Sequence, residues 1–204
     1  MLKKIFFALF IRPIVLLVAG VHVKNRENIP PKGPCIIVAN HNSHLDTMVL
    51  MSLFPLSYIN QVRPVAAADY FLKNRFFSWF SREVIGIIPI KRKPKKGEGH
   101  PLLEVQNALK NKEIIILFPE GSRGEPEEMA NFKSGISHLV KDFPDVPVVP
   151  IYIYGAGKSL PKGEALFVPF IIDVTISKPI YYDNESNQEF ATRLEMEIRK
   201  WIKL

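Results

Sequence analysis

The 204 residues predict an α/β fold: a single domain with a central, largely parallel mixed sheet flanked by helices, preceded by an N-terminal membrane-associating helix. Three observations carry this. Short runs rich in Ile and Val alternate with longer stretches of helical character. Several of the short runs are apolar throughout, as strands covered on both faces are. Polar residues, His41, Arg92 and Glu120, sit just past the ends of three of them, where open α/β sheets gather their sites.

The elements follow in chain order. "PCIIVAN" (34–40) reads as a buried strand and "SHLDTMVLMSLF" (43–54) as a helix. "VRPVAAA" (62–68) is a weaker strand, and "DYFLKNRFFSWFSREV" (69–84) is helical with aromatics at several spacings. "GIIPIKR" (86–92) is a short strand with a basic end. "HPLLEVQNALKNK" (100–112) is a helix whose Pro101 suits a first turn. "EIIILFPEG" (113–121) is a strand running into a loop, and "SGISHLVKDF" (134–143) is a helix. "VPVVPIYIYGA" (146–156) and "LFVPFIIDVTISKP" (166–179) are strands, and "NQEFATRLEMEIRKWIKL" (187–204) is an amphipathic helix expected to pack on the core.

Residues 1–24 are set apart as a membrane-associating segment ahead of a domain over 25–204. Lys3 and Lys4 precede an apolar run from Ile5 to Val21 that Arg12-Pro13 interrupts. Seventeen residues at about 1.5 Å each reach roughly 25 Å, short of a hydrocarbon core of ~30 Å. A mid-run Arg adds a cost of about 2.5–3.5 kcal/mol to spanning. In-plane or partial insertion fits better, with Lys3, Lys4 and Arg12 as cations for anionic lipid. A secretory signal peptide and a helix packed on the domain are the rival readings.

Composition limits the partners. The formal charge of +7 suits anions: nucleic acid, an acidic membrane surface or phosphorylated substrates. The nucleic-acid case is weak, because no recognisable reading module accompanies the charge. The single Cys35 excludes an intramolecular disulfide and fits a reducing compartment.

"NHNSHLD" (40–46) supports two readings. Ser43 and Asp46 fit a capping box at the start of the second element. Alternatively, Asp46 orients His41 and leaves its other nitrogen as a base. A metal site of His41, His44 and Asp46 is a third reading, and a Cys35–His41 nucleophile pair a fourth. In "FPEGSRG" (118–124), Gly121 lets backbone amides approach an anion and Arg123 offers a bidentate grip. A surface turn with a salt bridge explains the same residues. "KRKPKK" (91–96) is either a solvated loop or a contact for headgroups or nucleic acid.

Taken together, "NHNSHLD", "GIIPIKR", "FPEGSRG" and "VPVVPIYI" (146–153) resemble, in order and spacing, the four blocks of the 1-acylglycerol-3-phosphate acyltransferase family. "NFKSG" (131–135) is similar to the family's Phe-Lys-x-Gly segment. The resemblance covers roughly residues 25–180. It implies a glycerolipid acyltransferase-like fold and transfer of a fatty acyl group from acyl-CoA or acyl carrier protein to a lysophospholipid hydroxyl at a membrane surface. His41 matches the family's general base and Asp46 its orienting carboxylate. Lys91, Arg92, Glu120, Gly121, Ser122 and Arg123 fall in the blocks tied to the acceptor's phosphate and the shape of the site. No cofactor or metal is implied, and the expected location is the cytoplasmic face of the cell membrane, peripheral or monotopic. Ser122 stands where the family usually has Thr, Gly124 where Ser is common, and Lys91 where an acid often precedes the Arg. "AAADY" (66–70) replaces a Lys-bearing segment. The Ser122 swap is mild, but the second-block change at Lys91 touches the acceptor site, and another lysolipid or hydroxylated lipid is the alternative acceptor. A non-catalytic lipid- or anion-binding module is the alternative from outside the enzymes.

Overall fold

The structure, a computed structural model, describes residues 2–15, 20–71, 74–91, 100–160 and 168–202. Its strands are β1 (Val21–Lys24), β2 (Cys35–Ala39), β3 (Val62–Ala67), β4 (Ile88–Ile90), β5 (Ile114–Leu117), β6 (Val148–Tyr154) and β7 (Ile172–Ile176). They form one sheet in the order β1-β7-β6-β2-β5-β3-β4. All neighbours are parallel except β6 and β7. This is the mixed, largely parallel sheet that the sequence predicts.

The apolar strands have no polar face because both faces are covered. Cys35, Ile37 and Ala39 of β2 point to one face, against Leu50 and Met51 of α2 (His44–Ser52) and against Phe7 and Val15. Ile36 and Val38 point to the other. There they meet Val105 and Leu109 of α5 (Leu103–Lys110), Leu139 and Val140 of α6 (Gly135–Asp142), and Phe190, Leu194 and Ile198 of α8 (Asn187–Arg199). The period-two alternation of side chains divides one continuous Ile/Val run between two cores. After the short α7 (Ala156–Ser159), Ser186 and Glu189 form a capping box that starts α8. Trp201 is partly exposed and donates from its indole N–H to Ser177 Oγ at 2.8 Å, so this end of the chain packs on the domain as expected.

Three segments differ from the sequence reading. The single helix expected over 69–84 is α3 (Ala68–Phe71) and then α4 (Arg75–Trp79), which widens into π-type turns over Phe80–Ile85. Asn74 restarts it by accepting from Phe76 N at 2.8 Å, an N-cap that the aromatic pattern obscured. The expected strand over 166–179 is confined to Ile172–Ile176 among the described residues. Val21–Lys24, inside the segment set apart for the membrane, is the edge strand β1 beside β7.

The N-terminal helix begins as α1 (Leu2–Phe6) and continues through wider π-type turns at Phe7–Ile11. Lys3, Phe7 and Val15 are buried and Ile11 is partly buried, a spacing of four that such wide turns keep on one face. Lys3 therefore does not face lipid. Its Nζ donates to Val62 O at 2.7 Å, at the amino end of β3. Arg12 is likewise turned inward and donates to Phe54 O at 2.6 Å. Lys4 alone of the three cations is exposed. Leu2, Ile5, Leu9, Phe10 and Ile14 are exposed on the outer face. Among the described residues no helix is long and apolar enough to cross a membrane.

Candidate active site

The site grows from the carboxyl end of β2. Asn40 carries the pairing with β6 one step past the strand: its Oδ1 accepts from Ile153 N at 2.8 Å and its Nδ2 donates to Ile153 O at 2.9 Å. The next residue is thereby released from the sheet, and His41 turns out at the strand end. Ser43 then opens α2 as its N-cap.

Asp46 makes both contacts considered from sequence, one to the helix cap and one to the imidazole. Its Oδ2 accepts from Asn42 N and Ser43 N, both at 2.8 Å, which completes the capping box. The same oxygen lies 3.0 Å from His41 Nδ1. Only 1% of the Asp46 surface is exposed, and a buried carboxylate keeps its charge only when donors surround it. With Nδ1–H held by Asp46, the basic lone pair of His41 is on Nε2. The imidazole stacks on Phe118 at 4.0 Å between centroids, 16° from parallel.

Glu120 holds the adjacent strand end to this one. β5 pairs with β2, and the turn after β5 brings Glu120 Oε1 to His41 N at 2.7 Å. Its Oε2 accepts from Ala130 N at 2.9 Å. Burial raises the Glu120 carboxyl above its ordinary value, and these two backbone donors oppose the shift. His41 O accepts from Gly124 N at 2.9 Å. His41 is thus fixed by backbone on both sides as well as by its ring.

The remaining candidates fall into three groups. Gly121 and Arg123 are half-buried on the same loop, and Ser122 is exposed beside them. Gly121 has φ +77, a left-handed conformation that L side chains resist. Arg123 lies close enough to His44 that its charge, after burial itself, helps push that imidazole down to about 4. His44 is therefore neutral at pH 7. Lys91 is exposed just past β4. Arg92 and the rest of the basic run to Lys96 lie outside the described residues.

Four residues of the site were not singled out from sequence. Asn40 looked like the close of a strand, yet it ties β2 to β6. Asn42 donates to Glu128 O at 2.8 Å and to Glu125 O, which straps the 125–130 loop over the site. Phe118 supplies the ring under His41. Lys133 lies across Gly121, its Nζ 2.7 Å from where a Cβ would stand. Its only sequence signal was its place in "NFKSG".

The rival chemistries find little here. Burial pushes the Cys35 thiol up to about 12, which leaves it protonated inside β2. Among the described residues no group of three or more His, Cys, Asp or Glu is placed to hold a metal ion.

Residues 20–154 match the protein-family model described as Acyltransferase. The chain is 30% identical over 161 residues to the chloroplastic 1-acyl-sn-glycerol-3-phosphate acyltransferase BAT2 of Brassica napus, over 78% of this chain and 44% of that protein. It is 29% identical over 189 residues to the 1-acyl-sn-glycerol-3-phosphate acyltransferase of Pseudomonas aeruginosa, over 91% of this chain and 69% of that one. The crystal structure of the 1-acyl-sn-glycerophosphate (LPA) acyltransferase PlsC from Thermotoga maritima superposes with a TM-score of 0.77 at 25% identity, over 98% of this chain and 76% of that chain. The chain spans about half the length of several of the curated relatives it matches.

Proposed function

Because the chain belongs to the Acyltransferase family, we propose that it moves a fatty acyl group from an acyl thioester, acyl-CoA or acyl carrier protein, to the free hydroxyl of a lysophospholipid. The acceptor we propose is 1-acylglycerol-3-phosphate, which gives phosphatidate. The observation that carries the reading is the His41 Nδ1–Asp46 Oδ2 contact of 3.0 Å at the carboxyl end of β2.

Each residue has a role. His41 Nε2 takes the proton of the acceptor hydroxyl as its oxygen attacks the thioester carbonyl. The tetrahedral intermediate collapses, the C–S bond breaks, and the leaving thiolate takes the proton back from the imidazolium. Asp46 fixes the tautomer and stabilises the imidazolium while it lasts. No acyl-enzyme forms, so the protonated Cys35 is not required. Glu120 holds the backbone of His41 rather than touching the acceptor, since a carboxylate would repel a phosphate. Lys91, Arg92, Gly121, Ser122 and Arg123 form the acceptor side of the site, with Arg123 supplying a fork suited to phosphate oxygens.

The acceptor is an amphiphile, so the site must reach a lipid surface. The N-terminal helix ahead of β1 brings the domain to the cytoplasmic face of the cell membrane in a peripheral or monotopic manner. The exposed Leu2, Ile5, Leu9, Phe10 and Ile14 supply the apolar contact. Changing Leu9 and Phe10 to Ser spares the buried face, and should release the protein from anionic vesicles in a sedimentation assay. Unchanged sedimentation would move the contact elsewhere.

The activity is tested by thiol release from long-chain acyl-CoA against a panel of lysolipids. Release with 1-acylglycerol-3-phosphate that falls 10²–10⁴-fold in His41→Ala is the expected result, the usual contribution of a positioned base. A folded His41→Ala variant with near-normal turnover would sink the mechanism. Turnover of other lysolipids alone would sink the acceptor.

A further inference from the structure

We propose that Lys133, outside the four sequence blocks, determines acceptor specificity by binding the anionic headgroup beside the catalytic base; this rests on the acceptor reading above. The chain leaves β5, passes through the turn at 118–121, loops out, and returns so that Lys133 N donates to Pro119 O at 3.0 Å. Lys133 is thus tied by its backbone to the turn that carries Glu120. Its side chain then runs across Gly121. A Cβ at position 121 would meet Lys133 Nζ at 2.7 Å, Cδ at 3.3 Å and Cε at 3.4 Å. The missing side chain at Gly121 is therefore a cradle for this lysine as well as a relief of the φ +77 backbone.

An ammonium laid against a loop normally answers a local carboxylate. Here the carboxylate of the same turn is engaged, since Glu120 is buried with its two oxygens on His41 N and Ala130 N. Among the described residues the Lys133 ammonium has no hydrogen bond or ion pair, and the residue is exposed. The neighbouring strand end contributes no cation through Ala68, because β3 closes on Ala66 and Ala67 and α3 starts with Ala68 and the acidic Asp69. A lysine whose backbone is tied to the turn that carries Glu120, and whose ammonium has three open donors, is arranged to receive an anion.

That anion belongs to the acceptor. In 1-acylglycerol-3-phosphate the reacting hydroxyl and the phosphate sit on adjacent carbons, so a proton transferred to His41 places the phosphate beside the 120–123 loop. The phosphates of acyl-CoA are separated from its thioester by the whole pantetheine arm.

The test uses the full chain and two variants, Lys133→Met, which keeps the stem, and Lys133→Arg, which keeps the charge. Calorimetric titration with lysophosphatidate, monoacylglycerol and free coenzyme A reads binding without turnover. Lys133→Met should weaken lysophosphatidate about ten- to hundredfold, the scale of one charge-assisted hydrogen bond. It should leave monoacylglycerol and coenzyme A within twofold, and Lys133→Arg should regain most of the loss. Thiol release should show the same change in KM for the phosphate-bearing acceptor with kcat nearly kept. Equal lysophosphatidate binding by wild type and Lys133→Met, or no binding by wild type, would overturn the proposal. A loss confined to coenzyme A would reassign the lysine to the donor. Wild type that binds lysophosphatidate but releases no thiol would instead sink the activity while the Lys133 comparison still stands.

Discussion

Two buried charges lie at opposite ends of the strands, and they are treated differently. At the carboxyl end of β2, Asp46 has two backbone N–H donors and an imidazole on a single oxygen. At the amino end of β3, the Lys3 ammonium has one carbonyl, Val62 O, and the like-charged Arg63 nearby. Burial, then Arg63, pushes the Lys3 amine down to about 7, with Glu113 in partial opposition. Arg63 itself is held by Gly86 O at 2.7 Å and by Glu113 at 3.3 Å. The carboxylate is preorganised by donors that folding supplies for nothing more than starting a helix. The ammonium is tolerated, and the N-terminal helix that brings it in bears the electrostatic cost.

Breaking the satisfied end should give the largest effect. His41→Ala removes the proposed base, with the 10²–10⁴-fold loss of turnover stated above. Asp46→Asn keeps the size of the side chain but weakens its hold on the imidazolium. It should cost somewhat less turnover than His41→Ala, while circular dichroism reports an intact fold. A larger loss than in His41→Ala, with the fold kept, would mean that Asp46 does more than orient.

The less satisfied end should show itself in pH. The folded value of Lys3 lies near 7, below the ordinary 10.5, so between the two the unfolded chain holds more protons. The penalty is complete below about pH 7 and is relieved as pH rises toward 10.5, with a slope of at most about 1.4 kcal/mol per pH unit. Thermal unfolding from pH 6.5 to 9.5 should show wild type gaining stability relative to Lys3→Met, which keeps the stem without the charge. Parallel profiles would remove the contrast between the two ends.

Gly86 sharpens the same comparison more gently. It has φ +79, and a Cβ there would stand 2.5 Å from Lys3 Nζ. Gly86→Ala should destabilise by about 1–2 kcal/mol from the left-handed backbone alone. Combining it with Lys3→Met should cost less than the sum, since the clash is with the removed group. Strict additivity in chemical denaturation would show that the glycine serves only the turn.

Much of this was legible in sequence because it is local. Apolar runs bounded by helical segments specify a covered parallel sheet, and His41 and Asp46 are only five residues apart. A strand end followed by a capping box sets their meeting almost without the rest of the chain. What the sequence left open depends on which face a side chain takes and on which distant loop arrives beside it. Glu120 reaches His41 N across 79 residues only because β5 pairs with β2. Lys133 lies over Gly121 because the chain returns after a loop of no regular period. Lys3 and Arg12 read as lipid-facing cations from their place before and within an apolar run, and the packing of one helical face against β3 and α2 turned both inward. Local patterns fix elements and short-range pairs, because backbone geometry alone determines them. The partners of a buried charge are chosen by how the elements stack, and that is decided by shape and burial summed over the whole core.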